Sequence, residues 1–77
     1  MALIINMKKT GENIRKLRKE IGLSTKDLSA IFGFTTPQSI NKWERGDGLP
    51  TVDHLVILAD TLNVSIDNLL ITEKVEY

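Results

Sequence analysis

The sequence predicts an all-α domain built from five short helices. Three observations carry that reading. Apolar residues recur at helical spacing in successive segments between Thr10 and Ile71. Capping residues or glycine stops bound those segments. The alternation typical of strands is weak, apart from candidate extended ends at Leu3–Met7 and Ile71–Tyr77.

The first helix is expected in "TGENIRKLRKEIG", with Thr10 as N-cap, Ile14, Leu17 and Ile21 inward, and Gly22 as the stop. "STKDLSAIFG" follows almost at once. Ser24 with Asp27 three residues on reads as a capping pair, and Leu28, Ile31 and Phe32 form the inner face before Gly33. In the third segment, "TTPQSINKWERG", Thr36 is placed to cap and Pro37 to take the first helical position, where its missing N–H is no loss. A turn, "GDGLP", leads to Thr51, which caps "VDHLVILADTLN" with Leu55, Leu58, Ala59 and Leu62 inward. Ser65 caps a last short helix with Ile66, Leu69 and Leu70 inward.

With 77 residues the chain suggests one domain, residues 10–71, between an N-terminal arm (1–9) and a C-terminal tail (72–77). A chain this short buries only about 60–65% of its unfolded surface, so its core is small. Cysteine is absent, which excludes a disulfide framework and a cysteine zinc site. The longest early apolar run, "ALII", is too short for a membrane span and lacks a signal-peptide layout, so a cytoplasmic location is expected. The net charge is zero, but its distribution is split. Residues 1–46 carry nine Lys or Arg against four acids, and residues 47–77 one Lys against six. That split fits a phosphate-facing half with the acidic half turned away, and equally fits solvated helix faces.

With Ile40 at the centre of the buried face, 100° per residue puts Trp43 and Glu44 inward on the third helix. Gln38, Lys42 and Arg45 fall outward, flanked by Ser39 and Asn41, with no acid among them. Such side chains suit base edges, which makes Gln38, Ser39, Asn41 and Lys42 candidate base readers. An ordinary wet helix face has the same composition. Glu44 on the inner side needs a partner. Ile14, Leu17, Arg18 and Ile21 are spaced i, i+3, i+4, i+7, so Arg18 lies in the apolar stripe and a partly buried Arg18–Glu44 ion pair is expected.

Two adjacent short helices joined by "GFT", the second polar outward, suggest a helix-turn-helix. From Gly11 to Leu70 the chain resembles the Cro/cI-type (phage-repressor-like, XRE) family. The resemblance rests on "IRKLRKEIGLSTKDLS", "FGFTTPQSINKWERG" and "LPTVDHLVILADTLNVSIDNLL", in that order. It implies a compact five-helix, lambda-repressor-like domain whose helices two and three read DNA. It further implies that Lys26–Phe32 braces the unit, that the helix from Pro37 enters the major groove, and that Gln38 and Lys42 sit at contact positions. Arg18 and Glu44 match the family's buried ion pair. Three departures stand out. One residue more than the commonest spacing separates Gly33 from Ile40, which moves assignments at Thr36, Gln38 and Ser39 by about one position. Thr25 replaces a frequent Gln, and Ser29 a usual Ala.

Phosphates are gripped by helix-start N–H groups and nearby cations. The candidates are Ser24, Thr25, Thr36 and Arg45, with Lys42 beside them and Lys8, Lys9 and Arg15 adding longer-range attraction. Apolar residues beyond the needs of the core (Leu3, Ile4, Ile5, Val56, Ile57, Ile71, Val75 and Tyr77) suggest a homodimer through the C-terminal part, with the chain ends pairing as strands. The alternative is that the ends close over their own domain. Neither catalytic residues nor a cofactor or metal site is expected. His54 reads as a surface or capping residue, and the acids show no ligand spacing. The expected function is a sequence-specific, double-stranded-DNA-binding regulator, a repressor by occlusion. The competing reading is a protein-interaction module of the same fold, an antitoxin holding a toxin or an adaptor, using the acidic half.

Overall fold

The computed structural model describes residues 2–76. Met1 and Tyr77, and the part of the C-terminal expectation that falls on Tyr77, lie outside the described residues. The elements in order are β1 (Ala2–Ile5), α1 (Met7–Glu20), α2 (Thr25–Ile31), α3 (Gln38–Arg45), α4 (Val52–Leu62), α5 (Ile66–Leu69) and β2 (Thr72–Val75). The five helices are present, but the fold is not strictly all-α. β1 and β2 pair antiparallel within the chain, with Ala2 opposite Val75 and Ile5 opposite Thr72. Pairing across some 70 residues leaves no local periodicity, which is why the ends read only as extended.

α1 starts a turn earlier than Thr10. Asn6 is its cap, and the Asn6 side-chain oxygen accepts from Lys9 N–H at 2.9 Å. Thr10 is instead fully buried inside the helix, where its hydroxyl accepts from Ile71 N–H at 2.9 Å. Asn6 N–H also donates to Ile71 O at 2.7 Å. Asn13 Nδ2 donates to the carbonyls of Asn68 and Leu69 at 2.9 and 3.0 Å. These bonds clasp the first turns of α1 to the end of α5, and the β ribbon grows from that clasp.

α2 opens with a capping box: Asp27 N–H donates to Ser24 Oγ, and Ser24 N–H to the Asp27 carboxylate, both at 2.9 Å. Hydrogen bonding from Ser24 to the carboxylate, by its backbone N–H first and its side chain second, holds the Asp27 carboxyl below its usual range. A depressed carboxyl contributes stability that is present above its ordinary pKa and lost as pH falls through the folded value. Amide protection at the start of α2, taken relative to unstructured-chain exchange at the same pH, should therefore fall from about pH 4 downward, and Asp27→Asn should remove that loss. Protection factors that stay constant through that range in the unmodified chain would refute the assignment.

α1, α2 and α3 stop at glycines in the left-handed region, Gly22, Gly33 and Gly46, with φ of +76°, +74° and +79°, and α4 stops at Asn63 with φ of +58°. α3 begins one residue later than expected. Pro37 sits at its N-cap, and no side chain, Thr36 included, caps the first turn. Thr51 likewise occupies the N-cap of α4 without a side-chain bond.

The core is Ile14, Leu28, Ile40, Trp43, Leu58, Ala59, Leu62 and Leu69, with Leu17, Phe32, Leu55 and Ile66 packed against it. Ile21 and Ile31, expected inward, are about half exposed at 46% and 49%. Both lie at the last turn or cap of a short helix, beyond the reach of so small a core. His54 is no free surface residue. It joins a cluster with Phe32, Phe34 and Trp43, at ring-centroid separations of 5.3, 5.4 and 5.9 Å. Thereby α4 is pinned to the turn between α2 and α3.

Candidate nucleic-acid interface

α3 is held from behind. Its closest neighbour is α1, and the approach is set by Gly11. A Cβ on Gly11 would run into the carbonyl oxygen of Trp43 and lie 2.6 Å from that of Glu44. With the backbones so close, Arg18 on α1 reaches Glu44 on α3 with both arms of its guanidinium. Nε donates to Oε2 at 2.7 Å and Nη2 to Oε1 at 2.9 Å. The two side chains are only 8% and 9% exposed. Arg18 Nη1 donates in addition to Leu23 O at 2.8 Å, so the ion ties α1, the α1–α2 turn and α3 together. The Glu44 hydrogen bond raises the Arg18 pKa further above its ordinary value, so the guanidinium stays charged at any accessible pH.

Held in that way, α3 presents Gln38, Lys42 and Arg45 to solvent, while Ser39 and Asn41 are half-buried at the sides. The stem of Lys42 lies over Gly48 in the following turn, where a Cβ would come within 2.9 Å of its Cε. Arg45 Nε donates to Asp47 Oδ2 at 2.9 Å, an exposed pair that water and salt weaken. Of the residues placed at helix starts, Thr36 is exposed and Thr25 half-buried. The amide and hydroxyl of Ser24 are engaged in the capping box.

An open polar cleft runs between α1, α2 and α3, lined by Arg15, Arg18, Thr25, Asn41, Glu44 and Arg45. It joins the start of α2 to the side of α3. The sequence points to Arg15 only as a source of longer-range attraction, and the fold brings it into this same cleft. Its place depends on how α1 crosses the other two helices, for which the sequence carries no local signal. Six residues, 32–37, separate α2 from α3. Among the described residues no group of three or more His, Asp or Glu could hold a metal ion. No helix there is long and apolar enough to cross a membrane.

Fold and site together define a small helix-turn-helix domain whose third helix is anchored by a buried ion pair and bare on its outer side. A family model described as helix-turn-helix matches residues 14–69. The chain belongs to that family, in its Cro/cI (XRE) branch. It is similar to the cryptic-phage CTXphi transcriptional repressor RstR of Vibrio cholerae, 38% identical over 61 residues, covering 79% of this chain and 54% of that protein. The chain thus spans about half the length of that relative. It is also similar to the HTH-type transcriptional regulator y4dJ of Sinorhizobium fredii, 41% identical over 58 residues, covering 75% of this chain and 74% of that one.

Among solved structures, the restriction-modification controller protein C.AhdI from Aeromonas hydrophila superposes with a TM-score of 0.73 at 26% identity, covering 83% of this chain and 96% of that one. The DNA-binding domain of BldD gives a TM-score of 0.70 at 30% identity, covering 84% and 93%. The hydroxypropylphosphonic acid epoxidase from S. wedmorenis gives 0.75 at 26% identity, but the match covers only 34% of that enzyme.

Proposed function

We propose that the chain is a sequence-specific, double-stranded-DNA-binding transcriptional regulator, a repressor by occlusion, that acts in the cytoplasm as a homodimer. The helix Pro37–Arg45 enters the major groove. Gln38, Ser39, Asn41 and Lys42 face base edges, and Thr25, Thr36 and Arg45 grip phosphates, while Ser24, whose amide and hydroxyl hold the capping box, positions Thr25 beside them. The observation that carries this reading is the outer side of α3, acid-free and exposed at Gln38, Lys42 and Arg45, on a helix whose inner side is fixed by Arg18 and Glu44. A solvent-facing helix has no need of such anchoring, whereas base readout depends on it, because side chains must meet base edges in register. The relatives named as regulators support the same reading. They also favour a binding protein over an enzyme. The chemistry needs no cofactor.

Selection from a random duplex pool at about 0.1 M salt tests the proposal. The expected result is an enriched two-fold motif with half-sites about 10 base pairs apart. Gln38→Ala should relax the preference at one base per half-site by about 1–3 kcal/mol, leaving the other positions unchanged. Weak, salt-sensitive binding without enrichment would refute specific readout. Capture of a basic protein by the acidic half, residues 47–77, would then favour the antitoxin or adaptor reading.

A further inference from the structure

The terminal ribbon is exposed at every residue but the half-buried Ala2. Residues opposite one another in the register share a face. Ala2, Ile4, Glu73 and Val75 therefore lie on one face, and Leu3, Ile5, Thr72 and Lys74 on the other. The apolar character follows the strand rather than the face. β1 reads Ala-Leu-Ile-Ile and carries none of the charges or prolines that keep an edge strand from pairing further. β2 reads Thr-Glu-Lys-Val, with charges of the kind that protect an edge from further pairing. In a two-stranded ribbon, however, both strands are edges. Leu3 is 66% exposed, and β1 has no substantial packing partner other than β2. An isolated two-stranded ribbon is at best marginally stable in water.

We propose that a second copy of this chain supplies the missing neighbour. β1 pairs antiparallel with β1 of the second copy across a two-fold axis, giving a four-stranded sheet in the order β2–β1–β1–β2. This rests on the homodimer proposed above and adds its surface. Charge favours a second copy as the occupant, because β1 carries no ionisable side chain and two copies meet without like-charge repulsion. Self-pairing about a two-fold is closed. It places Glu73 and Lys74 of each chain on the two outer edges, so assembly stops at two. The clasp through Asn6, Thr10 and Asn13 fixes the base of the ribbon to α1, which carries Gly11 and Arg18 against α3. A sheet joined at the ribbons thereby sets the spacing of the two α3 helices.

Sedimentation equilibrium of the full chain, from low to high micromolar concentration, tests the pairing with Leu3→Glu and Val52→Glu alongside. Leu3→Glu puts a carboxylate opposite Lys74 in its own ribbon, which suits that ribbon, while two such carboxylates repel across the two-fold. The expected result is a dimer for the unmodified chain and for Val52→Glu. The dissociation constant of Leu3→Glu should rise about 100-fold or more, with helical circular dichroism unchanged. An unmodified chain that stays monomeric, or a Leu3→Glu variant that stays dimeric, overturns the proposal. A single half-site duplex separates the two readings. Specific binding to it by a monomeric unmodified chain would sink β1 pairing and leave the regulator standing. A β1-dependent dimer that selects no motif would do the reverse.

Discussion

Gly11→Ala should lower the thermal midpoint by at least about 10 °C, although alanine is the better helix former by about 1 kcal/mol. The added methyl has no room. It would meet two carbonyl oxygens of α3, those of Trp43 and Glu44, and these belong to backbone, which cannot swing aside as a side-chain tip can. Overpacking of this kind costs about 1–3 kcal/mol and more where the neighbour cannot give. The only relief is for α1 and α3 to move apart, which also lengthens the Arg18–Glu44 contact. Thermal denaturation followed by circular dichroism measures the effect. Gly22→Ala is the natural comparison, since nothing stands near its absent Cβ and its cost comes from positive φ alone. A midpoint for Gly11→Ala at or above that of the unmodified chain would refute this packing.

Glu44→Ala should be comparably severe, destabilising the domain by about 3–5 kcal/mol. It leaves the Arg18 charge in a pocket with the Leu23 carbonyl as its remaining partner. The attraction itself is not the whole of that figure, because two desolvated ions recover only part of what water gave them. The paired replacement Arg18→Met with Glu44→Leu should therefore recover more than half of the lost stability. Urea denaturation of the three proteins decides it. If the double variant is as unstable as the single one, the cost lies in packing around α3 rather than in a stranded charge.

Much of the helical framework was legible because its signals are local. Ser24 and Asp27 stand three apart and cap α2 as a pair; Gly22 and Gly33 follow apolar repeats and adopt the left-handed turn. The side of α3 that faces out follows from 100° per residue alone. What misled is instructive in physical terms. Thr10–Gly11 looks like a helix start because threonine caps well and glycine weakens helices. Here both residues answer tertiary needs, the hydroxyl for Ile71 and the missing side chain for α3. Ile21 and Ile31 continue the apolar rhythm, but the rhythm does not say where a small core runs out. The pairing of Ala2–Ile5 with Thr72–Val75 and the arrival of Arg15 in the cleft are long-range facts, and no window of neighbouring residues contains them.

The clasp between α1 and Ile71 has a consequence for the order in which the domain forms. Its partners stand 61 positions apart in sequence, whereas α2, the turn after it and α3 are neighbours along the chain. Closing so long a loop costs entropy that is repaid only once the helices at both ends are in place. The clasp and its ribbon therefore form late and open first, leaving α2 and α3 the firmer part of the domain. Weakening the clasp at Thr10 then acts mainly on the rate of unfolding, and α2 and α3 nucleate without it.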